Sequence, residues 1–230
     1  MSNRPLALVT GASRGIGRAT AHALAPTHDL LLGGRDPQAL AALAAELPGT
    51  ATPWAVDLSD TDALTAATAD IARLDLLVHS AGVAELGAVA DTPAKVWRET
   101  YEINVVAVAE LTRLLLPALR RARGTVVLVN SGAGLRANPG WGAYAASKFA
   151  LRALADALRA EEEPHGVRVT SVHPGRTATD MQRGIRTAEG ADYNPENYLT
   201  PESVAAAVLA AATAGPDAHV TEIVIRPAAR

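Results

Sequence analysis

Seven short apolar runs alternate with Ala/Leu-rich stretches of helical period along a chain of 230 residues. The runs are Leu6–Val9, Leu30–Leu32, Thr52–Val56, Leu74–His79, Thr125–Asn130, Val167–Val172 and Thr221–Ile225. Most are continuously apolar, the pattern of parallel strands buried on both faces. Helical patterns lie between them at 15–25, 37–46, 60–72, 94–121, 144–162 and 201–213. Asp36-Pro37 and Thr200-Pro201 read as caps followed by proline at the first helical position. Strand alternating with helix throughout predicts an α/β fold: a doubly wound parallel seven-stranded sheet flanked by helices. No linker or repeat divides the chain, so residues 1–230 are expected to form a single domain. The least regular segment, 174–199, carries Pro174, Gly175, Gly184, Gly190 and Pro195. It follows the sixth strand on the side where open α/β sheets bind ligands, and is expected to hold the substrate.

Composition removes several chemistries. The chain has no cysteine, which excludes disulfide scaffolds, thiol catalysis and Cys-ligated zinc. Its six histidines show no helical metal spacing, so no metal site is expected. A net charge of -3 gives no basic field for nucleic acid or an anionic membrane. The longest apolar run, Val204 to Ala212, is shorter than the roughly 18 residues of a membrane span. No leader is apparent either, and a soluble cytoplasmic protein is expected. Aromatics are only 3%, so the core must be built from Ala, Leu and Val. Lysine occurs twice, as Lys95 and Lys148, which makes each position informative.

Thr10-Gly11-Ala12-Ser13-Arg14-Gly15-Ile16-Gly17 falls between the first strand and the first helix. Glycines there permit positive φ and let backbone approach a pyrophosphate, while the helix N-terminus offers unpaired N–H groups to it. The same residues match the G-x-S-x-G nucleophile elbow of hydrolases around Ser13. The position argues against that, because no earlier strand and loop exist to supply the second oxyanion donor. At the end of the second strand, Arg35 precedes Asp36. Asp36 is accounted for as a cap, so Arg35 and Arg14 would meet a dianionic 2′-phosphate, favouring NADP over NAD.

Tyr144 and Lys148 stand at i and i+4 on one helical face. With two lysines in 230 residues, a chance match to any of four tyrosines is about 3–4%. A cation beside a phenol stabilises the phenolate and is expected to lower its pKa toward the working range. Ser131 follows the fifth strand at its carboxyl end, where its hydroxyl can hold a carbonyl oxygen. Asn104 interrupts an apolar helical pattern, as a packed polar residue or a functional one.

Thr10–Gly17, Asp57-Leu58, His79-Ser80-Ala81-Gly82, Asn104, Ser131, Tyr144 with Lys148, and Pro174-Gly175 follow one another as in the short-chain dehydrogenase/reductase family. The chain resembles that family from about Pro5 to Pro227. The resemblance implies a Rossmann fold and hydride transfer between NADP(H) and a carbonyl or alcohol. It makes Tyr144 the general acid and Lys148 the holder of the nicotinamide ribose. Ser131 then orients the carbonyl, and Asn104 maintains a water-linked proton relay to Lys148. It places Gly11, Ser13, Arg14, Gly15, Ile16, Gly17 and Arg35 at the phosphates, and Asp57 and Leu58 at the adenine. Ser80, Ala81 and Gly82 would form the cofactor floor, and Pro174, Gly175, Thr177 and Thr179 the border of the nicotinamide. Two departures stand out: His79-Ser80 replaces the more usual Asn-Asn, and the chain stops soon after Pro227.

Substrate choice is expected in Gly132–Ala143 and 176–199. Leu135, Trp141, Met181 and Tyr193 offer an apolar wall there, and Arg136, Arg176, Arg183 and Arg186 cations for an anion. The broadly apolar helices at 94–121 and 144–162 predict a homodimer, with the short tail counting against the family's common homotetramer. The expected function is an NADPH-dependent carbonyl reductase acting on a small molecule. The alternative is a non-catalytic NADP-binding sensor on the same fold, which would have no need of the full Asn104, Ser131, Tyr144 and Lys148 set.

Overall fold

The computed structural model describes residues 4–228; residues 1–3 and 229–230 of the expected domain lie outside the described residues. Strands β1 (Leu6–Val9), β2 (Asp29–Gly34), β3 (Ala51–Ala55), β4 (Leu76–His79), β5 (Thr125–Val129), β6 (Arg168–Pro174) and β7 (Glu222–Ile225) form one sheet. Its order is β3-β2-β1-β4-β5-β6-β7. Every pairing is parallel, with Leu8 opposite both Leu31 and Leu77 at the centre. The order reverses direction between β1 and β4, and the crevice above that switch point is where such sheets bind ligands.

Helices α1 (Gly15–Leu24), α2 (Pro37–Glu46) and α8 (Pro201–Ala212) cover one face. There Leu24, Leu40, Leu43, Val204 and Val208 pack on Val9, Leu30 and Leu32. Helices α3 (Thr61–Thr68), α5 (Ala107–Ala122) and α6 (Gly142–Glu162) cover the other, burying Leu64, Leu111, Leu115 and Leu151 against Leu8, Leu77 and Val126. The largest fully buried side chains named from the core are leucines, as a chain poor in aromatics requires. Asp36 Oδ1 accepts from the amides of Gln38 and Ala39, and Thr200 Oγ1 from that of Ser203, so both expected caps form.

Two expectations need refinement. The helical pattern at 94–121 is continuous but contains one wide turn. It is α4 (Ala94–Tyr101), one wide turn over Glu102–Val106, and α5. In that turn the Ala107 amide bonds the Glu102 carbonyl five residues back, and Asn104 lies inside it. The segment 174–199 is also more regular than its glycines and prolines suggest. It contains α7 (Asp180–Ala188), capped by Thr179, whose hydroxyl accepts from the Gln182 amide at 3.2 Å. Gln182 and Ile185 are its buried positions, three residues apart on one face.

Candidate active site

The glycine loop is built by close backbone approach. Gly11 and Gly15 have φ of +66° and +54°. A Cβ on Gly17 would lie 2.2 Å from the Gly11 carbonyl oxygen, and one on Gly11 3.0 Å from the Ala81 backbone. Thr10 fixes that second approach from below: its hydroxyl accepts from the Ser80 and Ala81 amides at 3.1 and 3.2 Å. The first turn of α1 has neither a side-chain cap nor an acidic residue, so its amides face the cleft unpaired by side chains. A bare helix N-terminus beside positive-φ glycines fits a pyrophosphate, and the residues present therefore suit a dinucleotide.

Two adjoining clefts open above the switch point. One, about 250 Å³, is lined by Gly11, Ser13, Arg14, Gly15, Ile16 and Gly17 with Arg35, Asp57, Leu58, Ser80, Ala81 and Gly82. The other, about 380 Å³, is lined by Ser131, Tyr144, Pro174, Gly175, Thr177 and Thr179, with Trp141 and Met181 among its walls. Ile16, Thr179 and Met181 belong to both. Arg14 and Asp180 approach to 3.8 Å across the boundary, both largely exposed. Asp57 is held below the usual carboxylate range mainly by the Ser59 amide and hydroxyl, with Arg35 adding a smaller attraction. Its side chain is thus engaged locally, and Arg14 and Arg35 are the cations lining this cleft.

Tyr144 and Lys148, on α6, are both buried; Tyr144 lines the larger cleft, and the ammonium lies 5.8 Å from the phenol ring centre. Burial pushes the Tyr144 phenol above its ordinary value, opposed by a hydrogen bond with Ser131. Burial likewise lowers Lys148 to about 8. The expectation that Lys148 depresses the phenol is therefore not met: burial sets the direction, and Ser131 rather than Lys148 opposes it. Lys148 Nζ donates to the Val129 carbonyl at 3.2 Å.

Asn104 is almost fully enclosed, and its amide is spent on structure. Oδ1 accepts from Val83 N at 2.9 Å, and Nδ2 donates to Val83 O at 2.9 Å and to Ser147 Oγ at 3.0 Å. Ser147 in turn donates to the Tyr144 carbonyl at 2.7 Å. The amide therefore ties the wide turn and the β4 loop to the Tyr144 turn of α6.

Sequence reasoning passed over Asn130, whose Oδ1 accepts from Ser131 N at 2.8 Å and whose Nδ2 donates to Lys148 O at 3.1 Å. One amide thus registers two candidate catalytic residues against each other. The available signal was an amide at the carboxyl end of an all-apolar strand. Gly134 makes the contact possible, since a Cβ there would sit 2.6 Å from Asn130 Oδ1.

His79 is a packed strand-end residue. Its Nε2 lies 2.9 Å from Thr112 Oγ1, which donates its own hydrogen to Val108 O, so the imidazole is the donor. Burial pushes it down to about 3. Above pH 6.5 the ring is neutral folded or unfolded and pH has no effect through it. Between 6.5 and about 3 only the unfolded chain takes up the proton, so stability falls as pH falls. At pH 5 this amounts to about 2 kcal/mol. His79→Asn should flatten the loss of melting temperature between pH 6.5 and 4. An unchanged slope would show that His79 does not titrate there.

Of the expected substrate contacts, Trp141, Met181, Arg136 and Arg176 line the larger cleft, whereas Leu135, Tyr193, Arg183 and Arg186 are not among its walls. Arg183 instead stacks 4.3 Å from the Tyr193 ring centre. Arg176 and Arg186 both pair with Glu189, at 2.6 and 2.8 Å.

A family model described as short chain dehydrogenase matches residues 5–190. The chain belongs to the short-chain dehydrogenase/reductase family. Among curated members, Dehydrogenase/reductase SDR family member 7B of Bos taurus is 38% identical over 224 residues, covering 89% of this chain and 69% of that protein. Glycine betaine reductase ATRR of Emericella nidulans is 36% identical over 96% of this chain, which spans 18% of that much longer protein. An alcohol dehydrogenase from the archaeon Thermococcus sibiricus, solved with 5-hydroxy-NADP, superposes with a TM-score of 0.87. It is 26% identical, with 99% of this chain and 98% of that one covered. A metagenomic short-chain oxidoreductase in complex with NADP gives 0.84 at 30% identity, with 98% of each chain covered. The short-chain dehydrogenase/reductase fold thus spans the described chain. Among its described helices, none is long and apolar enough to cross a membrane.

Proposed function

We propose that this short-chain dehydrogenase/reductase interconverts a ketone or aldehyde and an alcohol, using NADP(H). The observation that carries the reading is the pair Tyr144 and Ser131 in the wall of a 380 Å³ cleft that adjoins the glycine-loop cleft, with the buried Lys148 ammonium 5.8 Å from the phenol ring centre. Bound NADPH supplies the hydride. The chain supplies the proton and the geometry.

Ser131 Oγ accepts from the Ala133 amide at 3.1 Å and is hydrogen-bonded to the Tyr144 phenol, so the two hydroxyls lie together where a carbonyl oxygen would be held. Tyr144, kept protonated by burial, is the acid able to give that oxygen its proton as negative charge develops there. Lys148 lies close enough to stabilise the phenolate left behind, and on the family's pattern also holds the nicotinamide ribose. The buried floor limits water, which strengthens each of these interactions. Asn130 and Asn104 keep the three side chains in register.

Arg14 and Arg35 favour the phosphorylated cofactor, since two guanidiniums in one cleft match a 2′-phosphate dianion. The 5-hydroxy-NADP and NADP in the two solved relatives agree with this reading. A panel of ketones and aldehydes run with NADPH and NADH tests both parts. Turnover is expected with NADPH, and Arg35→Ala should weaken NADPH by roughly ten-fold or more while leaving NADH nearly unaffected. Equal losses for the two cofactors would count against the phosphate role, and no consumption with any carbonyl would favour the non-catalytic sensor. A homodimer through α5 and α6 in the cytoplasm remains the favoured assembly; the exposed Val106 and Phe149 beside those helices support it.

A further inference from the structure

The walls of the larger cleft carry three arginines, Arg136, Arg176 and Arg226, and no aspartate or glutamate. In a chain of net charge -3 this is a local reversal of sign. Arg176 is neutralised by its two-pronged bond to Glu189, at 2.9 and 2.6 Å. Arg136 and Arg226 have no carboxylate partner among the described residues. Arg226 is nevertheless held in place: Nη1 donates to the carbonyls of His173 at 2.7 Å and Ile225 at 3.1 Å, which leaves other N–H groups uncommitted. Arg136 follows Ser131 on the same turn, with its amide bonded to the Gly132 carbonyl at 3.1 Å.

The donors of Arg136 and Arg226 are not accounted for by the cofactor's phosphates, whose cradle of glycines, Arg14 and Arg35 belongs to the neighbouring cleft. We propose that the substrate is an oxo acid, its carboxylate held by Arg136 and Arg226, while its carbonyl meets Ser131 and Tyr144. This rests on the oxidoreductase reading and adds the substrate class to it. The guanidinium's planar donors suit a carboxylate, and a cleft of about 380 Å³ suits a small molecule.

The test uses Tyr144→Phe protein saturated with NADPH, titrated in a calorimeter with acetoacetate, 3-oxohexanoate and their methyl esters. Each acid is expected to bind at least ten-fold more tightly than its ester. Arg136→Ala, introduced into the same background, should reduce that ratio to below three. Arg226→Ala should reduce it likewise. Equal affinity for acid and ester, or binding of neither, overturns the proposal. A clear acid preference in binding, with no NADPH consumed by the wild-type protein and any of the four compounds, would instead support the carboxylate site and count against the reductase reading.

Discussion

Tyr144→Phe is expected to lower carbonyl turnover by about 10²–10⁴-fold, the contribution of a positioned general acid. The substitution removes only the hydroxyl. The ring keeps its tilted packing on Trp141, with centroids 5.9 Å apart, and the glycine loop, Arg14 and Arg35 lie on other elements. NADPH binding, followed by the change in cofactor fluorescence, should therefore stay within about two- to three-fold of wild type. Turnover near the wild-type rate would remove Tyr144 from the chemistry and leave Ser131 without its partner acid.

Lys148→Met separates function from stability more sharply. Lys148 is the one described lysine in the core, and burial holds it at about 8 against an ordinary 10.5. Below pH 8 it is charged both folded and unfolded, and the full cost of burying the charge is present. From 8 to 10.5 the unfolded chain retains a proton that the folded one has lost, so stability rises with pH across that window. The gap corresponds to at most about 3 kcal/mol. Methionine has a similar length and no charge, so the variant should melt about 5–10 °C higher at pH 7. Its advantage should shrink as the pH approaches 10, a signature that better packing alone would not produce. Carbonyl reduction should fall by orders of magnitude in the same protein, because no cation then stabilises the Tyr144 phenolate. A variant no more stable than wild type at pH 7 would show that the Val129 carbonyl already compensates the ammonium.

The positions of Tyr144, Ser131, Lys148 and the glycine loop were legible because spacing along the chain is nearly spacing in space. An i,i+4 pair shares a helix face, and a loop after the first strand must open at the carboxyl edge of the sheet. The boundary between clefts was not legible in this way. It depends on α7, whose Gly184 and flanking prolines read as irregular while its Thr179 cap and the Gln182 and Ile185 pair are short local signals. The wide turn at Glu102–Val106 is invisible to periodicity, since one extra residue per turn barely alters an apolar count. The direction of the Tyr144 shift was misjudged for a further reason. Counting a nearby cation is possible from sequence, whereas the depth of burial that opposes it is a property of the whole fold.

The parallel topology carries a consequence for how the molecule assembles. Leu6 donates to Asp75 across 69 residues, and Ala81 to the Thr10 hydroxyl across 71. The centre of the sheet cannot close until roughly a third of the chain has been made or has collapsed, and such long loop closures slow folding. The glycine loop is shaped by that same late contact, because Gly11 rests against Ala81. A dinucleotide therefore has nothing to grip in the first half-sheet of β1, β2 and β3. It should secure the finished molecule against unfolding without hastening its formation.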